Sequence, residues 1–246
     1  VTLPTRGRFY PEGHPLHNQE TVEIRYMTAK EEDILTSRAL LKEGVALDRL
    51  LQNLLVNRDI NVNSLFVGDK NALIVAARVT GYGAEYETSV TCPSCGETTE
   101  YEFDLEAAAL TDTDAALETY SATLTEANTL LVTLPLSKVQ VECKMMTGAD
   151  EAQLAKLVQR KAKKKMADSM LTDQFRGFIV GVNGSADRLN IEQFIAAMPA
   201  RDSRFLRTFY SEVIPNIDLS QNFECSSCGY SADMEVPLTA NFFWPK

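Results

Sequence analysis

The apolar residues of this chain follow two rhythms, one of period 3.6 and one of period 2. Leu47, Leu50, Leu51, Leu54 and Leu55 recur at the i, i+3, i+4, i+7, i+8 spacing that lines one face of an α-helix. Residues 72–79, after Asp69, supply a further apolar helix. Upstream, Thr28-Ala29-Lys30-Glu31 has the spacing of a capping box, in which a hydroxyl and a carboxylate satisfy amides left free at a helix start. Gly44 is placed to end that helix, because glycine takes the left-handed backbone of a C-cap without penalty. Residues 20–85 therefore read as a helical region with a bundle core, and a leucine stripe this short does not argue for a dimerising coiled coil.

Period-2 alternation marks strands at residues 21–27 and 139–145, and it places Cys143 as an ordinary strand residue. A helix is expected to start at Thr147, whose spacing to Asp150 resembles another cap, and to run to about residue 170. Residues 175–182 are apolar and fit either helix or strand. Residues 191–198 and 204–213 read as two short helices separated by Pro199. Residues 1–19, rich in Pro and Gly, read as an extended arm ordered against a partner subunit or against the chain's own body.

The chemistry lies in the cysteines. Cys92-Pro-Ser-Cys95-Gly96 and Cys225-Ser-Ser-Cys228-Gly229 use four of the five cysteines, with 129 residues between Cys95 and Cys225. A Cys-x-x-Cys turn followed by Gly lets two thiolates face one tetrahedral ion. Aligned on the cysteines, Val90 matches Phe223, Gly96 matches Gly229, Glu102 matches Glu235, Phe103 matches Val236 and Leu105 matches Leu238. Each copy reads as a β-hairpin with cysteines at its tip, and two such hairpins side by side make a zinc ribbon holding one zinc per chain through Cys92, Cys95, Cys225 and Cys228. Iron is the competing metal, since tetrahedral thiolate sites also accept it. Disulfides are the structural competitor; no secretory leader is read at the N-terminus, and thiol pairs in a reducing compartment more often bind metal. A redox role for the first pair would need Cys92 at a helix N-terminus, whereas a turn and a strand follow it.

Composition narrows the function. With 246 residues and 45% apolar content the chain can bury a real core, and no apolar run reaches the roughly 20 residues that cross a bilayer. The net charge of −10 disfavours general nucleic-acid binding. Arg160, Lys161, Lys163, Lys164 and Lys165 form one basic cluster, read as a solvated helix end or a docking patch for an acidic partner. The tail Phe242-Phe243-Trp244-Pro245 reads as a plug into the protein's own ribbon or as a partner contact. His14 and His17 sit in the arm beside no plausible nucleophile, phosphate-loop and dinucleotide fingerprints are absent, and four cysteine ligands leave a metal no open position. An enzyme is not expected.

The arm Leu3-Pro4-Thr5-Arg6-Gly7-Arg8-Phe9-Tyr10, the segment from Met27-Thr28-Ala29-Lys30 through Ser37, Tyr82-Gly83-Ala84-Glu85-Tyr86 and the first knuckle together resemble the baseplate hub assembly proteins of contractile-tailed, T-even-type bacteriophages. The resemblance covers roughly the first 110 residues and resumes at the second knuckle. It implies a non-enzymatic role in baseplate hub assembly, as chaperone or retained subunit, with other tail and hub proteins as partners, multiple copies in a symmetric assembly, and a place in the virion tail or in the host cytoplasm during assembly. The alternative from another class is a zinc-ribbon nucleic-acid-binding or transcription accessory protein. The expected fold is α+β: arm (1–19), helical region (20–85), first knuckle (86–110), mixed α/β insertion (111–216), then second knuckle and aromatic tail (217–246).

Overall fold

The computed structural model describes residues 1–163, 169–236 and 240–243, so Lys164, Lys165, Leu238 and Trp244 lie outside the described residues. The fold is mixed α+β, with helices and several small sheets. The chain divides into two compact units, the first comprising Val1–Val62, Gly68–Leu110 and Asn216–Lys246, the second Asn63–Val67 and Thr111–Pro215.

The first unit opens with helices α1 (Ala29–Thr36), α2 (Arg38–Glu43), α3 (Ala46–Leu54) and α4 (Val67–Tyr82). The capping box forms: the Glu31 carboxylate accepts from the Thr28 N–H at 3.0 Å and from Thr28 Oγ1 at 2.6 Å. The helix expected to run from this cap to Gly44 is broken at Ser37, where the backbone turns extended. Just before the break, Thr36 Oγ1 donates to the Glu32 carbonyl, the local side-chain bonding that competes with helix continuation. Gly44 ends α2 with φ of 72°, as its position predicts. Leu50, Leu51, Leu54 and Leu55 are fully buried together with Leu35, Leu73 and Ala77, while Leu47, at 38% exposure, marks the edge of the stripe.

Residues 21–27 do not form the expected strand. They make single bridges, Thr21 to Thr2 and Ile24 to Leu55. Alternation alone cannot produce a strand where the neighbours are an arm of turns and the end of a helix, each with one residue to pair.

Residues 1–19 run as consecutive turns on the body of this unit, with Leu3, Thr5, Phe9, Tyr10 and Leu16 buried. The tie is Asp69 in the first turn of α4. Its carboxylate accepts from the Thr5 N–H at 3.0 Å, Thr5 Oγ1 at 2.6 Å and the Tyr10 hydroxyl at 2.7 Å. Burial nonetheless raises its pKa above the ordinary carboxylate range. Gly7 makes the arm foldable. At φ of 71°, a Cβ on it would sit 2.5 Å from Leu16 O and 2.6 Å from Gln19 O, as well as against Gln19 N. Gly7→Ala is therefore expected to combine left-handed strain with a backbone collision and to cost about 3 kcal/mol or more. The check is thermal denaturation with tryptic cleavage at Arg6 and Arg8, which should become rapid only in the variant.

After α4 come β1 (Glu85–Thr91), β2 (Thr98–Asp104) and the short β3 (Ala109–Leu110). The chain then builds the second unit from α5 (Thr113–Thr119), β4 (Thr123–Leu124), β5 (Leu130–Thr133), β6 (Gln140–Cys143), α6 (Gly148–Lys163), α7 (Met170–Phe178), β7 (Ile179–Val182), α8 (Arg188–Ala197) and α9 (Ala200–Val213). The strands β4-β5-β6-β7 form one antiparallel sheet in that order. Cys143 is a fully buried residue of β6, as expected. Residues 175–182 prove to be both alternatives in succession, helix to Phe178 and strand from Ile179. Met170, expected to end the preceding helix, instead begins α7. The basic cluster is not uniformly solvated: Arg160 and Lys163 are exposed, but Lys161 reaches both oxygens of the buried Asp173 at 2.6 and 2.7 Å.

Asp202 shows how this unit uses buried charge. Fully buried on α9, it accepts from the backbone N–H groups of Leu136 and Ser137 at 2.8 and 2.9 Å. Burial alone would raise its pKa, but the Ser137 and Leu136 hydrogen bonds outweigh it and hold it below the usual carboxylate range. The depressed value means that its stabilisation is present above the ordinary carboxylate pKa and is lost as pH falls through the depressed one. Asp202→Ala is expected to destabilise by about 2–4 kcal/mol at pH 7, with the gap to wild type closing in acid. Urea unfolding across that pH range checks it.

The chain re-enters the first unit through β8 (Ile217–Asp218), β9 (Ser220–Glu224) and β10 (Ser231–Glu235). β3 and β8 pair antiparallel, Ala109 with Asp218 and Leu110 with Ile217, so residues 111–215 leave and return at adjacent points.

Candidate metal centre

β1 and β2 form one hairpin, β9 and β10 another, each closed by a cysteine turn. In β1 the buried residues Tyr86, Thr88 and Val90 alternate with exposed ones, and continuing that alternation turns Cys92 inward. Phe223 brings Cys225 inward from β9 in the same way. The two turns carry matching hydrogen bonds. Cys92 N–H donates to Glu97 O and Cys225 N–H to Tyr230 O, both at 2.8 Å. Gly96 N–H donates to Cys92 O and Gly229 N–H to Cys225 O, both at 2.9 Å. Gly96 and Gly229 have φ of 76° and 71°, the left-handed conformation that the spacing requires of both. Phe103 and Val236, paired by the sequence alignment, are both buried.

The hairpins meet along β2 and β9. Tyr101 donates from its hydroxyl to Asn222 O at 3.0 Å and its ring meets Phe223 edge-on at 5.1 Å. Gln221 spans the gap, accepting from the Asp104 N–H at 3.1 Å and donating to Asp104 O at 2.6 Å. This juxtaposition brings together all four cysteines singled out in the sequence. Cys92 Sγ lies 3.8 Å from Cys228 Sγ and Cys95 Sγ lies 3.8 Å from Cys225 Sγ. The four sulfurs all lie within 4.8 Å of one another, and all are free thiols. Four sulfurs about 2.3 Å from a tetrahedral metal stand about 3.8 Å apart. The cluster therefore has the dimensions to hold a metal ion.

Without an ion the four thiols affect one another unequally. The N–H groups of Cys228 and Ser227 lower the Cys225 thiol to about 7. The Glu97 N–H acts in the same direction on Cys95, but the neighbouring sulfurs push it up to about 12. Thiolates this close repel, and a divalent cation at their centre would make all four compatible. Cys92 and Cys225 are buried while Cys95 and Cys228 are exposed, so each turn contributes one inner and one outer sulfur.

The solvent face of the first hairpin is acidic. Glu85 stands opposite Asp104, Glu87 opposite Glu102 and Ser89 opposite Glu100, all exposed. Neither residues 85–104 nor residues 217–236 include a single Lys or Arg.

Among the described residues the two histidines join no such group. The His14 ring stacks on Tyr10 at 4.3 Å, and His17 Nδ1 lies 2.6 Å from Tyr10 O. A residue that pattern reading passed over is Arg78 on α4, 1% exposed. Its guanidinium donates to Phe242 O at 2.6 Å, Gly83 O at 2.6 Å and Glu85 O at 3.1 Å, and lies over the rings of Tyr82 and Tyr86. Phe242 and Phe243 are buried, Phe242 edge-on to Tyr86 at 5.3 Å, so this part of the aromatic tail plugs into its own chain. The available signal was a lone Arg within the apolar run of residues 72–79.

Residues 11–128 match the model of a protein family described as T4 bacteriophage base plate protein. Of the segments on which the resemblance rests, the helix start, residues 82–86 and the first knuckle fall within the matched residues, while the arm motif at residues 3–10 and the second knuckle lie outside them. No curated protein and no solved structure gives a significant match to the chain.

Proposed function

We propose, on the premise that residues 11–128 carry the T4-type phage baseplate protein family, that this chain is a non-enzymatic tail protein that acts in building the baseplate hub, as an assembly chaperone or a retained subunit. The family match is the observation that carries this reading. Its partners are then other tail and hub proteins, met in the host cytoplasm or kept in the virion tail, with several copies in a symmetric assembly. Among the described residues no helix is long and apolar enough to cross a membrane.

We further propose that Cys92, Cys95, Cys225 and Cys228 hold one structural zinc, making the two hairpins a split zinc ribbon around the inserted residues 111–216. The sulfur spacing supports this, and a four-thiolate shell leaves the ion no position for water or substrate. The zinc clasps the ends of a long insertion, whose closure entropy grows by only about 0.6 kcal/mol per doubling of length.

The test has two arms. Elemental analysis of purified protein should give close to one zinc per chain; one iron would keep the site and change the metal, and no metal would reject it. Pull-down from phage-infected cells should recover tail or hub proteins, and recovery of none would count against the assembly role. The nucleic-acid alternative is disfavoured by two hairpins that lack Lys and Arg, one of them with an acidic face, because phosphate contacts supply most of such affinity. Salt-dependent DNA or RNA binding would revive it.

A further inference from the structure

The four cysteines pair unequally with respect to solvent. The 3.8 Å contacts Cys92–Cys228 and Cys95–Cys225 both run between hairpins, and each joins a buried sulfur to an exposed one. An oxidant reaches Cys95 and Cys228 first, and the sulfur poised to resolve each belongs to the other hairpin. When a metal leaves, the hairpins loosen but remain neighbours, since Tyr101 with Asn222 and Phe223, and Gln221 with Asp104, link them through contacts that do not involve sulfur.

We infer that the metal centre is also an oxidative modification site, at which a peroxide exchanges the ion for two crossed disulfides, Cys92–Cys228 and Cys95–Cys225. The inference rests on the metal reading above. An exposed thiolate attacks one peroxide oxygen, the O–O bond breaks and hydroxide leaves, giving a sulfenic acid. The thiolate of the opposite hairpin attacks that sulfur, the S–S bond forms and the sulfenic oxygen departs as water after protonation. Each disulfide takes two electrons from its two sulfurs and reduces one peroxide to two waters. Two peroxides and four protons thus convert the four-thiolate zinc complex into two disulfides, four waters and a free zinc ion. The clasp between the hairpins passes from a coordinate to a covalent form without opening. Each sulfur pair needs to close from 3.8 Å to about 2.05 Å, within the reach of small side-chain rotations.

The experiment uses the full-length protein with its metal content measured beforehand. Hydrogen peroxide is titrated under native conditions, released metal is read with a chromophoric chelator, and digests are mapped without reduction. The expected result is release of the bound metal with loss of four of the five thiols, the buried Cys143 remaining. The peptide bearing Cys92 and Cys95 should be joined to that bearing Cys225 and Cys228, with fragmentation between the cysteines of each knuckle reporting the crossed pairs. Metal release with linkages confined to each knuckle, Cys92–Cys95 and Cys225–Cys228, would overturn the inference and leave the metal reading standing. Retention of metal and thiols in excess peroxide would overturn it as well. Protein purified without metal would sink the metal reading, and peroxide acting on the free thiols should then still give the crossed linkages; their absence would overturn the geometry argued here.

Discussion

Replacing Cys225 and Cys228 together with Ser is expected to abolish metal binding and to loosen β9, β10 and the segment carrying Phe242, while α1, α2 and α3 stay folded. A four-thiolate zinc contributes on the order of 10 kcal/mol of apparent folding free energy in small domains. Part of that is retained here because Tyr101, Phe223 and Gln221 hold the hairpins without sulfur. The leucine core does not depend on the centre, since Leu35 of α1 and Leu50, Leu51 and Leu54 of α3 are fully buried and none of them belongs to the cysteine hairpins. Limited proteolysis read beside far-ultraviolet circular dichroism separates the outcomes: early cleavage after residue 216 with helicity kept is the expected pattern. Collapse of the helical signal would mean that the metal holds the whole first unit, and an unchanged digest would mean that the hairpins stay joined without it. Chelation of the wild-type metal should reproduce the variant's digest.

Arg78→Leu is expected to be comparably damaging, at about 4 kcal/mol or more. The guanidinium satisfies three backbone carbonyls that come from the C-terminal segment, the end of α4 and the start of β1. An apolar replacement fills the volume and leaves those acceptors without their donor, at about 1–3 kcal/mol for each that stays buried. It also removes the cation from the faces of Tyr82 and Tyr86. Arg78→Lys keeps the charge but places three donors around one atom, so it cannot span carbonyls that the planar fork reaches together, and it should recover only part of the loss. Chemical denaturation of the three proteins gives the ranking; a Leu variant as stable as wild type would show that water or local relaxation serves those carbonyls equally well. Because Phe242 is one of the partners, the variant should also raise the protease sensitivity of the C-terminal segment with metal content unchanged. That combination distinguishes it from the cysteine variant.

The amino-acid sequence by itself determined those features whose cause lies within a few residues or within a repeated spacing. The capping box of Thr28 and Glu31, the C-cap at Gly44, the buried leucines of α3 and the two glycines that close the cysteine turns follow from local backbone chemistry, and each stands where its pattern requires. The candidate centre was legible for the same reason: two matching Cys-x-x-Cys-Gly turns separated by a long insertion have a shared meaning only if they meet. Tertiary structure decided the features that depend on neighbours remote in the chain. Alternation at residues 21–27 became two single bridges because among the described residues no strand lies beside it, and β7 became a strand because β6 was there to pair with it. The arm carries no periodicity, yet it is folded because Asp69 accepts from Thr5 and Tyr10, some sixty positions away. Arg78 is the extreme case, a charge in an apolar helix whose burial is tolerable only where three carbonyls from separate segments converge on it. Hydrogen-bond satisfaction of a buried polar group is a property of its surroundings, and no local pattern of residues encodes those surroundings.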